Sequence, residues 1–421
     1  YNISYWREDI MTKKEINVNE FDNFANKHVL GSFYQTSNYG KLKEKEGYKV
    51  LYIGAYDNSN LVGAFLLLSK SISLNVKYGY SPRGFLVDYF NKEIFKDFTE
   101  SIKKYFHKKG YAFIKIDPII ILNEVDKDGN KSLNNSTNEL IITMEELGYK
   151  KLKDNIYFES MLPKYNPIIN LKTFGFNNLD AKLQKSINKI SNKGLSLIKG
   201  DFYNINSLYE LTKRKEDKES NYYKSMYKIF NIDNLIDLFL VEVDYHEYLL
   251  NLQDDHETEA TINEKINKIF QMDPTNKNIY NEKMLSDRKL YEINEEITEV
   301  SKKIQNSIFK EYVAGALVVK HNNVASIYIS GFDKFYNRLL PNHYLHYSII
   351  NYYKNEGLSF LDLNGITGDF TKTNPYKGLN DFKLSWNPRI FEYIGEFDLI
   401  INQTKYSLLW SSNKLQKEFE K

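Results

Sequence analysis

Residues 49–69 read KVLYIGAYDNSNLVGAFLLLS, two apolar runs on either side of the polar turn DNSN. Aromatic, branched and aliphatic residues bounded by Asp, Asn and Ser are typical of two strands joined by a turn. A third strand-like segment follows at 75–89, and residues 92–110 have apolar side chains at helical spacing and end in a glycine. Pro118 then interrupts an apolar strand at 111–120. Strands, a helix and a further strand predict an α/β (α+β) domain.

A similar order recurs towards the C-terminus. Residues 315–332 (GALVVKHNNVASIYISGF) predict a second hairpin, and residues 343–357 predict a helix followed by Gly357. A strand is predicted at 358–365. The two parts share this layout without obvious sequence identity, which favours a duplicated fold.

A lysine interrupts the apolar segment DFKLSW at residues 381–386. If this segment is a strand, Phe382, Leu384 and Trp386 share one face, and Lys383 and Ser385 share the other. The second face then meets either water or a cleft that uses a fixed positive charge. Alternation alone leaves both possibilities open.

The segment between the two parts has a different character, from residue 245 to 306. Ile262, Ile266 and Ile269 are spaced by four and three, and a second series is spaced by three, four, three and four: Leu290, Ile293, Ile297, Val300 and Ile304. Such spacing is typical of a narrow apolar seam between helices, and Pro274 separates the two series. We expect an antiparallel helical hairpin that protrudes as an arm; a buried helix pair is the alternative.

Composition limits the class of protein. With 421 residues, two to three domains are expected, and 42% hydrophobic and 27% charged residues indicate a globular chain. The net charge of +2 gives no overall nucleic-acid signature. The absence of Cys excludes disulfides, iron–sulfur clusters, thiolate metal sites and a Cys nucleophile. The sequence has neither an apolar run of roughly 18 residues nor a signal-peptide pattern, and Met11 is a candidate natural start.

Several motifs of known chemistry are missing from the sequence. It contains no G-x-x-x-x-G-K-[ST], G-x-G-x-x-G, G-x-S-x-G or H-E-x-x-H pattern. His343 and His346 share a predicted helix at a spacing of three without a patterned carboxylate, so no metal site is predicted. The order of elements resembles the N-acetyltransferase fold, but residues 331–348 lack the Gly-rich, Arg-containing turn with which that fold binds coenzyme A, so acyl-CoA is not the expected donor.

Taken together, the motifs resemble the Fem family of bacterial aminoacyltransferases, which build the peptide bridges of peptidoglycan. The resemblance spans nearly the whole chain, and the order and spacing of the motifs make it specific. Besides the arm, it rests on FYQTSNYGKLKEKEGYKV (33–50), YGYSPRGFLVDY (78–89), FIKIDP (113–118), LQKSINKISNKGLSL (183–197), LDLNGITGDF (361–370) and GLNDFKLSWNPRIFEYIGEFD (378–398).

The resemblance implies tandem N-acetyltransferase-like (GNAT) domains at 1–165 and 166–387, with residues 388–421 packing back on the first and an antiparallel helical coiled-coil hairpin inserted at 245–306. The donor would be aminoacyl-tRNA carrying glycine, serine or alanine, and no cofactor is expected. The acceptor would be the amino group of a stem or bridge peptide on lipid II or on a UDP-MurNAc-pentapeptide-type precursor. The protein would lie in the cytoplasm at the inner face of the plasma membrane, as a homo- or hetero-oligomer with related transferases if it assembles.

The resemblance also assigns two candidate catalytic residues. Lys383, in the Phe-Lys motif, would stabilise the negative charge that develops on the ester carbonyl, which is favoured over a role as a neutral base. Phe382 would form a wall of the site or belong to the core. Asp117 would act in the acceptor site, for example by orienting the amine, or would cap the turn that follows it.

Four further residues are candidate substrate contacts. Lys43 matches a phosphate-contacting Lys of the family, and Lys218 falls near where relatives can place an Arg. Tyr222 follows at the matching spacing and could bond a phosphate or a sugar. Arg83 could contact a ligand or stabilise its turn. For each lysine the alternative is a solvated surface residue.

The central strand departs from some relatives, which carry Tyr before its glycine. This chain has Ile329-Ser330-Gly331 instead, and alternation places Tyr328 on the opposite face, so the role of that Tyr is not transferred. Two other function classes stay open: an acyl-CoA-dependent N-acyltransferase and a non-catalytic interaction module that uses the arm.

Overall fold

The computed structural model describes residues 11–73, 76–132, 134–159, 161–190, 194–214 and 218–411. Residues 1–10, which bear on the expected start at Met11, lie outside this range. None of the helices within the described ranges combines the length and the apolar character needed to cross a membrane. Mixed sheets with helices packed on them confirm the α/β fold class.

The first part of the described chain forms eight strands and four helices. In chain order these are β1 (Met11–Glu15), α1 (Val18–Ala25), α2 (Ser37–Lys45), β2 (Lys49–Asp57), β3 (Asn60–Ser73), β4 (Val76–Ser81), β5 (Leu86–Val87), α3 (Lys92–Lys108), β6 (Tyr111–Ile116), β7 (Ile121–Val125), α4 (Asn135–Glu146) and β8 (Tyr149–Lys151).

The second part, again counting only described residues, forms eight strands and eight helices. These are β9 (Tyr165–Asn170), α5 (Ala181–Ile190), β10 (Leu195–Gly200), α6 (Ile205–Thr212), α7 (Ser220–Asn231), β11 (Ile236–Asp244), α8 (Tyr245–Met272), α9 (Lys277–Gln305), β12 (Lys310–His321), β13 (Val324–Phe332), α10 (Pro341–Asn355), β14 (Phe360–Asp362), α11 (Lys377–Leu384), β15 (Arg389–Tyr393), β16 (Phe397–Ile400) and α12 (Gln403–Ser411).

The first sheet is built around the predicted hairpin. β2 and β3 pair antiparallel from Lys49↔Ser69 to Asp57↔Asn60, so the prediction for residues 49–69 is confirmed. Across the described residues, the strand order is β1-β2-β3-β4-β6-β16-β8, with β5 beside β3. β4 and β6 are parallel, and the chain between them contains the helix α3. Two parallel strands require such a crossover connection, because a tight turn can join only antiparallel strands.

The second sheet repeats this arrangement. β12 and β13 form the predicted antiparallel hairpin, and β13 pairs in parallel with β14 after the crossover helix α10. In the described residues the full order is β10-β11-β12-β13-β14-β9-β15-β7. The order of hairpin, helix and further strand that the sequence layout predicted therefore occurs twice, and in both sheets the strand after the helix is parallel to its neighbour.

The continuous apolar run in β3 reflects two buried faces. Phe65 and Leu67 enter a core on one side of the sheet, whereas Leu66 and Leu68 enter a second core. That second core also contains Leu240 and other residues of the second sheet. A strand covered on both faces carries apolar residues without alternation, and the shared core joins the two sheets into one body.

The chain passes between the sheets at points that the predicted boundaries miss. β7 lies within the predicted first domain at 1–165 but pairs with β15 in the second sheet. β15 lies within the 388–421 segment expected to return to the first domain, and only β16 and α12 do so among its described residues. Short strands of four or five residues carry no pattern that tells which sheet they join, so the predicted boundaries at 165 and 388 do not follow the division between the two sheets.

The predicted strand DFKLSW is wrong. Residues 381–384 belong to α11, and Ser385 and Trp386 follow it directly. The hydrogen bonds and salt bridge from Lys377 to Asp381 join positions four apart on this helix. Leu379, Phe382 and Trp386 follow the helical spacing of three and seven, and Trp386 is fully buried. A short apolar segment fits both periods, and residues 377–380, which precede it, are helical and continue into it.

The segment 245–306 is a pair of helices, α8 and α9, inserted between the adjacent strands β11 and β12. Ile293 and Val300 are buried, but Ile262 and Ile269 are exposed, so the seam predicted for α8 is wrong. Buried polar side chains take their place: Asn263 donates to Ser286 (3.1 Å), and Ser286 and Lys289 donate to Glu259. Polar groups this buried require such partners, and α8 therefore presents a different face from the one that its isoleucines indicate.

Candidate functional site

The carboxyl of Asp117 lies at the end of β6, directly before Pro118, and is 3% exposed. The Arg83 backbone N–H donates to Oδ1 (2.7 Å) and the Tyr80 hydroxyl donates to Oδ2 (3.1 Å). Burial raises the pKa of Asp117 to about 7, against the lowering effect of the Arg83 guanidinium and with a further raising effect from Glu396. A carboxyl with this pKa can gain or lose a proton near neutrality.

Arg83 occupies a strained turn beside Asp117. Its φ of +60° is unusual for a residue other than glycine. Gln35 holds this turn, because its amide donates to the carbonyls of Pro82 (2.6 Å) and Gly84 (3.0 Å) and accepts from the Leu66 N–H (2.8 Å). The turn points the guanidinium of Arg83 between two rings, at 5.8 Å from the centroid of Tyr34 and 5.3 Å from that of Tyr393.

Lys43 and Lys218 meet at one end of the site. Both ammonium groups donate to the carboxylate of Glu46, one to each oxygen. Both also lie over the ring of Tyr222, at 5.7 Å for Lys43 and 4.9 Å for Lys218. Burial raises the pKa of Glu46, but the hydrogen bonds from Lys218 and Lys43 outweigh this effect and lower it overall. Two cations, a carboxylate and an aromatic ring thus form a compact charged cluster.

Lys383 lies at the other end of the site, on α11. Its ammonium donates to the backbone carbonyls of Gly365 (2.8 Å) and Asn364 (3.2 Å), which follow β14. Phe382 faces away from these carbonyls and contacts the rings of His346 (4.8 Å) and Trp386 (6.2 Å) at steep angles. The structure thus places Phe382 against core rings, the alternative that the sequence left open.

Side-chain contacts connect these groups. Asn364 donates to the Tyr328 carbonyl (3.2 Å), and the Tyr328 hydroxyl lies 2.7 Å from that of Tyr222, which the ammonium of Lys43 approaches. On the other side, the ring of Tyr34 links Arg83 to Tyr39 (5.2 Å). Contacts therefore connect six of the predicted residues, whereas Phe382 packs on core rings; the six are Lys43, Arg83, Asp117, Lys218, Tyr222 and Lys383.

The orientation of Tyr328 corrects the sequence interpretation. In the pairing of β12 with β13, Leu317 faces Ile329 and Val318 faces Ile327, so Tyr328 is an extra residue in a bulge. A bulge interrupts the alternation of faces and redirects a side chain. Tyr328 consequently joins Tyr222 in the site instead of facing away from it.

Cavities give a further view of the site. A small cavity of about 10 Å³ adjoins Asp117 and Arg83 and is also lined by Glu159 and Glu396. Burial raises the pKa of Glu159 to about 7, with further contributions from Glu396 and Asp154. A larger cavity of about 450 Å³, lined in part by Lys213 and other charged residues, contains none of the predicted site residues.

The described residues include no group of three or more His, Asp or Glu side chains placed to hold a metal ion. His343 and His346 instead contact the rings of Phe382 and Trp386. The Nδ1 atom of His346 lies 2.8 Å from the carbonyl of Asn342, one turn earlier on α10. These two histidines therefore serve the packing of α10 against α11.

Comparison with protein families matches residues 16–414 to the FemAB family. The chain belongs to the FemAB family. Among its relatives are the aminoacyltransferases FemA of Staphylococcus epidermidis (strain RP62A) and of Staphylococcus aureus (strain bovine RF122), each 25% identical. The first alignment covers 96% of this chain and 99% of the relative, and the second covers 95% and 98%. A crystal structure of FemX has a similar fold, with a TM-score of 0.71, 22% identity, and coverage of 94% of this chain and 99% of that one.

The structure of this FemAB-family chain also reveals a site residue that the sequence analysis missed. Asp362 ends β14, and Asn166 donates to both of its oxygens at 3.1 and 3.0 Å. Burial raises its pKa, and the positive charges of Arg83 and Lys383 are among the effects that oppose this. Asp362 and Asp117 each end the parallel strand that follows a crossover helix. A carboxylate after an apolar strand in both halves was the signal that could have identified it.

Proposed function

We propose that this FemAB-family protein is an aminoacyltransferase that transfers glycine, serine or alanine from aminoacyl-tRNA to an amino group of a peptidoglycan precursor. The acceptor would be lipid II or a UDP-MurNAc-pentapeptide-type precursor, both of which carry a pyrophosphate. One observation carries the proposal: a buried carboxyl with a pKa of about 7 lies in the same region as the pair Lys43 and Lys218 and as the separate Lys383. Aminoacyl transfer to an amine requires a proton acceptor and stabilisation of charge at two ends of the reacting pair.

Asp117 would orient the acceptor amine and accept its proton. The amine nitrogen attacks the carbonyl carbon of the aminoacyl ester, and the new C–N bond forms. The C–O bond to the tRNA ribose then breaks, and the ribose oxygen leaves as a hydroxyl after taking from Asp117 the proton that the amine gave up. A carboxyl whose pKa lies near the working pH is suited to this exchange, because it is partly ionised before the reaction and holds the proton readily afterwards.

Lys383 would stabilise the oxygen of the ester carbonyl as it becomes negative. The hydrogen bonds to the Asn364 and Gly365 carbonyls fix the ammonium group at the end of β14. A cation fixed before the reaction stabilises developing charge without reorganising. Phe382, packed against rings of α10, would hold α11 and hence Lys383 in place.

Lys43, Lys218 and Tyr222 would bind the pyrophosphate of the acceptor. Lysine ammonium groups bind phosphate as point charges, and a tyrosine hydroxyl adds a directional hydrogen bond. The pyrophosphate is common to the lipid-linked and the soluble precursor, so this site fits either. If the acceptor is lipid-linked, the protein works at the inner face of the membrane.

We further propose that each sheet with its crossover helix is an N-acetyltransferase-like unit, and that α8 and α9 form a coiled-coil arm. The repeated order of strands, helix and parallel strand supports the first point. Residues 245–306 contain 13 acidic and eight basic residues, a net charge of −5, so the remainder of the chain carries +7. Basic surfaces attract tRNA phosphates. The residues outside the arm are therefore the favoured binding site for tRNA, and the arm is favoured to bind a protein partner, such as a related transferase.

The test of the proposed function incubates the protein with glycyl-, seryl- and alanyl-tRNA and with each type of precursor. Mass spectrometry of the precursor should show the addition of one of these amino acids. The absence of transfer from all three tRNAs to both precursors would refute the proposal. Coenzyme A, titrated by calorimetry in parallel, should not bind; tight binding would point to an acyl-CoA-dependent N-acyltransferase.

A further inference from the structure

Glu46 occupies the centre of the site proposed for the acceptor pyrophosphate. It directly follows α2, and its two carboxylate oxygens accept hydrogen bonds from different lysines, Lys43 of that helix and Lys218 just before α7. The three side chains are largely shielded from water, with exposures of 22% for Glu46, 14% for Lys43 and 34% for Lys218. The same contact spans the two halves of the molecule, since α2 packs on the first sheet and α7 on the second.

The two ammonium groups that donate to the Glu46 carboxylate are placed as donors to a bound phosphate group would be. A carboxylate and a phosphate both accept charge-assisted hydrogen bonds through oxygens that share a negative charge. In this cluster Lys43 and Lys218 converge on Glu46, with the ring of Tyr222 close to both ammonium groups. The hydroxyl of Tyr222 is 2.7 Å from that of Tyr328, and the ring of Tyr39 lies 5.2 Å from the ammonium of Lys43. Donors from both halves therefore surround the position that Glu46 holds.

We propose that Glu46 is an internal counter-ion that occupies the anion site until a phosphate-bearing substrate displaces it. This inference rests on the proposed acceptor site and adds its regulation. Without Glu46, two like charges from different halves would face each other, which is destabilising. Because both lysines already donate to Glu46, a ligand can displace it only if the ligand carries more negative charge than one carboxylate. The site thus selects a pyrophosphate over single carboxylates and other weak anions.

Removal of the Glu46 carboxylate breaks two salt bridges, yet it should strengthen the binding of an anionic ligand. Glu46→Gln keeps the size of the side chain but removes the competing charge. Inorganic pyrophosphate should then bind about tenfold more tightly, the scale expected for one charge a few ångströms away in partly screened surroundings. If Glu46 instead served only to position the lysines, the variant would bind pyrophosphate more weakly or equally well.

Calorimetry with the full-length protein and inorganic pyrophosphate measures this. Glu44→Gln is the matched control, because Glu44 is exposed on α2 and its replacement changes the net charge equally. Glu46→Asp retains the charge on a shorter side chain and should stay near the affinity of the unaltered protein. An increase of about tenfold for Glu46→Gln alone supports the inference. Equal changes in Glu46→Gln and Glu44→Gln, or no change in either, would overturn it.

A second measurement needs no folded Glu46→Gln protein. With ¹³C-labelled glutamate carboxyls, the Glu46 resonance is assigned by its loss in Glu46→Asp, and pyrophosphate is then added to the unaltered protein. Displacement from the lysines should shift this resonance in step with binding. A resonance that stays in place at saturation, or the absence of pyrophosphate binding, would refute the counter-ion role.

These outcomes separate the inference from the proposed function. Tighter pyrophosphate binding by Glu46→Gln without any aminoacyl transfer would retain the counter-ion and reject the transferase. Transfer by the unaltered protein, combined with an unchanged affinity in Glu46→Gln, would retain the transferase and reject the counter-ion.

Discussion

Replacement of Asp117 by Asn should make the protein more stable at neutral pH and inactive as a transferase. The amide resembles the protonated carboxyl in shape but cannot accept the proton of the acceptor amine. Because the site is buried, the ionised carboxyl is the form that folding disfavours. Function and stability should therefore change in opposite directions, as expected for a residue kept for chemistry.

The magnitude follows from the pKa of Asp117. Its folded-state value of about 7 lies above the ordinary value of 3.8. Below pH 3.8 the carboxyl is protonated in both states and costs nothing. As the pH rises to 7, the unfolded state loses its proton first, so the free energy of unfolding decreases, by about 4 kcal/mol in total at ~1.4 kcal/mol for each pH unit. The Asn side chain does not ionise, so the free energy of unfolding of Asp117→Asn, relative to that of the unaltered protein, should increase by up to about 4 kcal/mol between pH 4 and pH 7.5.

Urea unfolding of both proteins at a series of pH values measures the difference. Asp128→Asn, at an exposed position, is the control for the replacement of an Asp by an Asn. In the transfer assay, kcat/KM of the unaltered protein should rise with pH up to about 7 and then level off. Asp117→Asn should reduce it by about 100-fold or more and remove this dependence.

Two results would refute this reasoning. A stability difference between Asp117→Asn and the unaltered protein that is the same at all pH values would show that Asp117 does not carry a raised pKa. Transfer by Asp117→Asn with an unchanged pH profile would show that another group accepts the proton.

Three further predictions concern the rest of the site. Lys383→Ala should lower kcat about 100-fold with little change in KM for the acceptor, whereas Lys377→Ala on the exposed face of α11 should change neither; equal effects on kcat and KM would contradict the electrostatic role. Gln35→Leu should lower the free energy of unfolding by about 3 kcal/mol or more, measured by urea denaturation, because several buried backbone groups lose their partner; a change below ~1 kcal/mol would refute this. Tyr328→Phe should weaken pyrophosphate binding several-fold in calorimetry, because Tyr222 loses its hydroxyl partner; an unchanged affinity would place Tyr328 outside the site.

Much of the fold could be predicted because its local signals are strong. The runs at 49–69 and 315–332 carry apolar residues on both sides of Asn-containing turns, and both form hairpins. The helices at 92–110 and 343–357 have the apolar spacing that their burial requires, and both are confirmed with ends shifted by about two residues. Periodicity succeeds in these segments because one face of each element packs against a large core.

The failures occur where the local pattern is short or interrupted. DFKLSW satisfies both a strand and a helix period, and only the contacts around Trp386 distinguish them. α8 carries isoleucines on a face that stays exposed, because buried partners on α9 favour the face of Glu259 and Asn263. Tyr328 does not follow the alternation of side chains between the two faces of the strand, because it is the extra residue of a bulge. In each case the deciding contact comes from another element.

The sequence by itself determined the fold class, the two hairpins with their crossover helices, and the residue types of the candidate site. These depend on the hydrophobic period and on turn residues, which are local properties of the chain. The tertiary structure decided which sheet each short strand joins, that Lys383 stands on a helix beside the carbonyls that follow β14, and that Glu46 lies between Lys43 and Lys218. Those relations join residues more than a hundred positions apart in several cases, and a pattern that repeats every two or 3.6 residues contains no information about such distant partners.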